Sequence, residues 1–295
     1  MFRNLRVRRE PQKFAPDPLQ ISIDEIISDA SIPVSIRSIN NFPDNAKRRL
    51  YRALIPIGLL TRFGINPRSW RGPDGDARVD LLAQPETGLV NLSVWSGEDR
   101  DDPFFTIELE DNSLNGIDLN LLVLSDPDAP RFQTDFDEAG ARTEFGTVHR
   151  NLEAEERAML AGLAPGQTRA GLRASAEVFN HLESFLTLLA HHAYFLEPLS
   201  YASSWVFERR GFAYVRGHKL MDEIHVEFQP EGRLYRELDE STPFRAPEHW
   251  NSVRGRAWAI HDGVLQAINA RWDGLRMIKQ VGRQAGAETF PGGKY

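Results

Sequence analysis

Between residues 88 and 125 the chain carries three strand-like runs in quick succession: GLVNLSVWSG (88–97), PFFTIELED (103–111) and GIDLNLLVLS (116–125). In the first, Val90, Leu92 and Val94 fall on one side and Asn91, Ser93 and Trp95 on the other, the period-two pattern of a strand with one buried face. The connections are too short to hold a crossover helix, so the runs must be antiparallel neighbours. The third is the most apolar, which places it nearest the middle of the sheet.

The pattern then changes period. In GLRASAEVFNHLESFLTLLA, Leu172, Val178, Phe179, Leu182, Phe185, Leu186 and Leu189 make one broad apolar face, the mark of a helix laid on a sheet. HAYFLEPL reads as a strand, SYASSWVFERR as a helix and GFAYVRGHKL as a strand. The β–α–β–α–β order from 116 to 220 predicts an α/β (α+β) fold with a mixed sheet.

Upstream, DNAKRRLYRALI reads as a helix with Asp44 as N-cap, PIGLLTRFGI as a second short helix and ARVDLLAQ as a strand. Residues 1–40 read as a loosely ordered extension, in which 20–36 allows a short strand or a helical turn. Residues 126–150 are rich in Asp, Pro, Gly and Thr and read as a long loop. Asn151 is placed to cap a helix whose first turns carry Glu153, Glu155 and Glu156, as the helix dipole favours. In 221–295, MDEIHVEF and WAIHDGVLQAINARWDGLRMI read as helical and GAETFPGGKY as a tail.

Composition narrows the function. Of 295 residues, 42 are acidic and 35 basic, a net charge of -7, which argues against a general nucleic-acid binder but leaves room for a local basic pocket. The absence of cysteine excludes disulfides, thiolate metal sites and cysteine nucleophiles. The N-terminal MFRNLRVRRE has no apolar core behind its arginines, unlike a secretory signal. FLTLLAHHAYFLEPL, the longest apolar candidate, is interrupted by His191, His192 and Glu197 and falls short of the roughly 20 residues a membrane helix needs. These features together suggest a cytoplasmic protein with no membrane partner.

Several constellations carry little chemistry. DFDEAGARTEFG (135–146) has Asp135, Asp137 and Gly140 where a calcium loop would, but Ala139 and Gly146 stand at two ligand positions, so a turn is expected. Asp126 and Asp128 read as turn formers before Pro127 and Pro130. The histidines form no metal motif, and His261 beside Asp262 resembles a dyad only by adjacency. Arg254 and Arg256, alternating near Trp258, read as a solvated strand with a packed Trp in preference to an anion-binding edge.

The stretch SYASSWVFERRGFAYVRG (200–217) is the most informative. A helix of small residues ends in Phe207-Glu208-Arg209-Arg210-Gly211-Phe212, and an aromatic strand follows at once. This resembles the Tyr-Glu-x-x-Gly-Phe helix and strand of the GNAT (GCN5-related N-acetyltransferase) superfamily, and the element order over about 44–220 agrees. The resemblance implies a GNAT-like acyl-CoA N-acyltransferase fold over 41–220, interrupted by 126–165. It leaves 1–40 as an N-terminal extension and 221–295 as a C-terminal extension packed on the same domain. Acetyl-CoA would be the co-substrate and a small amine the acceptor, on a chain able to form a homodimer.

In that family the pyrophosphate of acyl-CoA lies on a Gln/Arg-x-x-Gly-x-Gly/Ala loop at a helix N-terminus, where free backbone N–H groups and the helix dipole favour anions. Within AGLAPGQTRAGL (161–172), Gln167, Thr168, Arg169, Ala170 and Gly171 sit where that loop is expected. Arg169 and Arg173 could add charge, and the alternative is a plain turn between two helices. The acyl group would lie on the backbone of 119–124, including Leu122, Val123 and Leu124. The family's tyrosine, which protonates the departing thiolate, is matched by Phe207, and its frequent Asn by Ser200. Tyr201, six residues earlier, is the substitute acid. Glu108 and Asp118 are the candidate bases, against the plainer reading of ordinary strand carboxylates. The alternative function is a catalytically inactive CoA-binding or protein-interaction module.

Overall fold

The computed structural model describes residues 33–143 and 149–295. A seven-stranded sheet runs through the molecule in the order β1-β2-β3-β4-β5-β7-β6. The predicted meander is β2 (Leu89–Val94), β3 (Phe105–Asp111) and β4 (Ile117–Leu124), preceded by β1 (Val79–Leu82) at the edge. All these neighbours are antiparallel. β4 then pairs in parallel with β5 (Ala193–Leu196), the only parallel pair of strands among the described residues. β6 (Ala213–Arg216) and β7 (Arg276–Gln280) complete it, with β7 antiparallel to both β5 and β6.

Side-chain alternation decides where the core lies. Phe105, Ile107 and Leu109 of β3 and Ile117 and Leu119 of β4 point into one cluster with Ile36 and Ile39 of α1 (Ile36–Asn40), Leu50 and Tyr51 of α2 (Asp44–Tyr51) and Leu59 and Leu60 of α3 (Ile57–Arg62). The long crossover helix α5 (Ser175–Leu188) adds the expected face, with Val178, Leu182 and Leu186 fully buried. Phe185, 2% exposed, lies 6.0 Å from the Tyr51 ring. Phe185→Ala is expected to cost about 3–5 kcal/mol, because it removes the ring and leaves a void that these neighbours close only in part. Urea unfolding measures this, and a cost under about 1 kcal/mol would contradict the packing described.

Three sequence expectations need correction here. Residues 33–40 are not loose: Val34 N–H donates to the Leu189 carbonyl at 2.9 Å, and the Asp111 carboxylate accepts from the N–H groups of Ile36 and Arg37 at the start of α1. The strand or turn expected over 20–36 lies largely outside the described residues. Asp44 is the first residue of α2, after Pro43, and does not cap it by side chain. The helix expected through 278 ends early: α9 (Val253–His261) and a 3-10 turn at 264–268 are followed by β7, a strand inside the sheet. Residues 217–275 are thus inserted between two strands of the sheet and are not appended to it.

That insertion builds a second core. α7 (His218–Glu227), α8 (Arg233–Arg236) and α9 bury Met221, Ile224, Phe228, Leu234 and Val253 with Tyr201 and Ala202 of α6 (Tyr201–Arg209). The insertion between β4 and α5 joins the same lobe. Its helix α4 (Leu152–Leu160), capped by Asn151 as expected, brings Ala158 and Leu163 against Phe244 and Trp258. Trp258 Nε1 donates to the Leu163 carbonyl at 2.8 Å, and Arg254 donates to that of Gly162. Arg254, Arg256 and Trp258 therefore lie on a helix and not on a solvated strand, with Arg256 and Trp258 buried.

α6 stops where Gly211 takes a left-handed φ of +86°, its N–H bonding the Glu208 carbonyl at 2.9 Å. A Cβ there would stand 3.1 Å from the Gln284 backbone, so the glycine is required both by conformation and by contact. Of the turn expected at 135–146, residues 144–146 lie outside the described residues; in the rest the Asp137 carboxylate accepts the N–H groups of Ala139 and Ala141. No group of three or more possible metal ligands occurs among the described residues. No helix among them is long and apolar enough to cross a membrane.

Candidate functional site

The pairing of β4 with β5 stops at Leu119↔Leu196, although β4 runs on to Leu124. β5 itself ends at Leu196, and β4 carries a bulge just beyond Leu119. Against β3, Leu109 faces Leu119 and Glu108 faces Leu121, so Asn120 is the extra residue. A bulge bends its strand and sharpens its twist, and this one follows directly on the last residue of β4 that pairs with β5. Among the described residues, no strand pairs with 120–123 of β4 on that side, while the Leu124 carbonyl accepts from the Leu172 N–H at 3.2 Å.

A cleft of about 100 Å³ opens in the gap. Leu119, Asn120, Leu121 and Leu122 of β4 form one wall, Leu196 and Glu197 at the end of β5 another, and Leu199, Ser203 and Phe207 close it. The lining is mostly aliphatic, with a few polar groups at the rim. α6 begins beside it with a capping box in which Ser200 and Ser203 satisfy each other's backbone N–H groups. Phe207 packs edge-on against Phe179, 6.2 Å away, and lies 5.3 Å from Phe212, so its ring is fixed.

On the sheet face opposite the main core the acidic residues form two groups. Asn120 Nδ2 donates to Glu110 Oε2 at 2.8 Å and lies 3.5 Å from Glu108 Oε1, while Asn91 donates to Glu108 Oε2 at 2.9 Å. Glu108 thus reaches the cleft wall through Asn120. Asp118 is committed elsewhere: Arg276 Nη2 donates to both of its oxygens at 2.8 Å, and Asn112 donates at 2.7 Å. Arg276 is also 3.3 Å from Glu197.

Tyr201 is not at the cleft. It is 1% exposed in the second core, and its hydroxyl accepts from Arg256 Nη1 at 3.3 Å. Burial pushes its phenol above the usual value, and Arg256 offsets only part of that rise.

The loop 167–171 is already occupied by the protein. The Gln167 side chain accepts the Ala164 N–H at 2.7 Å, and its own N–H bonds the Ala164 carbonyl. The carbonyls of Thr168 and Ala170 accept from Phe132 and Asp126, and Gly171 bridges Ser125. Arg169 holds Asp102 at 2.7 Å and donates to the carbonyls of Pro127 and Ala129. These residues lace the β4–α5 insertion to the end of the strand. Amides without a side-chain cap lie a few residues later, at the start of α5, where Ala174 is the N-cap and the Ser175 hydroxyl accepts from Arg210. Exposed Arg173 precedes it with a φ of +58°.

Of the residues singled out in the sequence, Leu122 lines the cleft, Val123 and Leu124 continue its strand, Glu108 approaches it, and Asp118, Tyr201 and Arg169 are paired within the fold. Leu199 and Ser203 were not proposed as site residues, and Asn120 only through its backbone. A bulge leaves no mark in a run as apolar as LNLLVL, and only the small-residue repeat at 200 and 203 hinted at a cap near a ligand. No family model matches the chain, nor does any curated protein or solved structure.

Proposed function

We propose that this protein is an acyl-CoA-dependent N-acyltransferase of GNAT-like fold that acylates a small amine. The observation that carries the reading is the cleft between β4 and β5. An aliphatic slot beside unpaired strand backbone suits an acyl thioester, whose carbonyl oxygen accepts from a β4 N–H while its chain lies against Leu121, Leu122 and Leu196. The strand order, with β4 and β5 paired in parallel, supports the same reading.

In this reading the amine nitrogen attacks the thioester carbonyl carbon, the C–S bond breaks, and the thiolate leaves. Proximity supplies much of the rate. Glu108, linked through Asn120, is the best-placed group to receive the amine proton, through water. The phosphates would sit at the open first turn of α5 beside Arg173 and not on 167–170. The thiolate takes its proton from solvent or the amine, because Phe207 has none to give.

Calorimetric titration with acetyl-CoA, CoA and longer acyl-CoAs tests this. Binding is expected, and Leu199→Trp, which fills the cleft from an exposed position, should weaken it about tenfold. Absence of binding at millimolar ligand would overturn the proposal. Phe207 favours one second reading, a member that binds acyl-CoA without turnover, and binding with no amide product would select it.

A further inference from the structure

A second cavity, of about 230 Å³, lies away from the cleft between β4 and β5. α5 contributes Asn180 and Glu183, α6 ends in it with Arg209 and Arg210, and the segment around the end of β7 closes it with Lys279 and Gln284. In a chain of net charge -7, three cations facing one small space are unusual.

Their partners settle which charges are spent. Glu183 accepts the Gly282 N–H at 2.7 Å and stands 3.6 Å from Lys279 Nζ, so that pair is internally neutral. Lys279 is 3% exposed and also donates to the Arg283 carbonyl. Arg210 has no such balance. Its Nη2 donates to the neutral Ser175 hydroxyl at 2.8 Å, and its Nε is buried with no acceptor among the described residues. The carboxylate nearest Arg209 is that of Glu288, 3.8 Å away and half-exposed. Two guanidinium groups thus remain without a buried counter-charge, beside amide side chains able to orient an oxyanion. A buried donor without an acceptor costs about 1–3 kcal/mol, a cost a bound oxyanion removes. Guanidinium groups match phosphoryl oxygens in geometry.

We infer that this cavity binds a small phosphate-bearing anion through Arg209 and Arg210, at a site separate from the acyl-CoA cleft. The inference does not rest on the acyl-transfer reading: the cavity shares no lining residue with the cleft between β4 and β5, and it meets the proposed phosphate position only at the first turn of α5, where Ala176 lines it.

The probe is inorganic pyrophosphate, titrated calorimetrically into the full chain in the presence and absence of acetyl-CoA. Saturable binding is expected, weakened about tenfold or more in Arg209→Gln/Arg210→Gln, with acetyl-CoA binding unchanged in the same variant. If that double variant fails to fold, Arg209→Gln alone decides, because its side chain is about half exposed. No saturable binding, or binding unaffected by the folded variant, overturns the inference. Displacement of pyrophosphate by acetyl-CoA, or joint loss of both in the variant, overturns a separate site. Pyrophosphate binding by a protein that ignores acetyl-CoA supports this site and removes only the acyl-transfer proposal.

Discussion

Arg150→Met is expected to lower stability by about 3 kcal/mol at neutral pH, and by much less near pH 3. Arg150 joins the two inserted segments. It donates to Glu155 Oε2 at 2.5–2.9 Å on its own segment and to Asp262 Oδ1 at 2.9 Å at the end of α9. The two carboxylates are 3% and 8% exposed. Burial pushes the Glu155 carboxyl up, but bonds from His261 and Arg150 outweigh it and hold it below the usual range. Burial also raises Asp262, and bonds from Arg245, Arg150 and Thr242 bring it below its usual value. Removing the arginine leaves two buried charges each short of a partner. The figure sits at the lower end for a broken buried pair because His261 and Arg245 remain.

The pH dependence has a definite sign. Both carboxyls bind protons more weakly in the folded state than in the unfolded one, whose values are about 4. Their contribution is therefore complete above about pH 4–5 and is lost as pH falls through the depressed folded values. Urea unfolding of wild type and Arg150→Met at pH 7 and pH 3 reads this directly. A pH-independent difference would mean that the methionine acts through packing alone, for instance against Phe244, whose ring lies 5.0 Å from the guanidinium.

Glu208→Ala is expected to cost about 3–4 kcal/mol and to release the C-terminal tail. Glu208 is 5% exposed and accepts three hydrogen bonds: from the Tyr214 hydroxyl at 2.6 Å, the Thr289 hydroxyl at 2.6 Å and the Thr289 N–H at 3.1 Å. Alanine leaves the two Thr289 donors buried and the half-buried Tyr214 hydroxyl without this acceptor, at about 1–3 kcal/mol for each buried donor and less than additive. Glu208→Gln keeps oxygen at one position and should cost less than half as much. Limited proteolysis with mass spectrometry should find new cleavage around 285–293 in Glu208→Ala before any within α5. Equal protection of the tail in both proteins would refute this role.

Glu208 also shows how far the sequence could be read. The motif around it was visible, but its use as a buried clasp for a segment 81 residues away was not. Periodicity located β2, β3, β4 and α5 because each exposes one face and buries the other. It missed β7 for a physical reason. Met277 and Lys279 point inward while apolar Ile278 is only half-buried, so a cation occupies a position where alternation expects an apolar residue. Arg256 misled in the same way. It is wholly buried, held by the Trp250 carbonyl and the Tyr201 hydroxyl with the Phe290 ring 3.6 Å away, where charge on a sequence reads as surface. The cleft wall carries a one-residue bulge, and the loop expected to hold phosphate is closed by Arg169 pairing with Asp102, 67 residues distant. Neither leaves a local signal.

The position of β7 governs the order in which the molecule can be made. It lies between β5 and β6 yet follows both, with the helical lobe in between. During synthesis β5 and β6 emerge first, each with a hydrogen-bonding edge that only residues 276–280 will cover. Unpaired edges are templates for wrong partners. The nascent chain must therefore keep two open edges apart while the lobe folds between them, and the last strand works as a bolt. A ribosome that stalls before residue 276 leaves a half-sheet with the surfaces that seed aggregation.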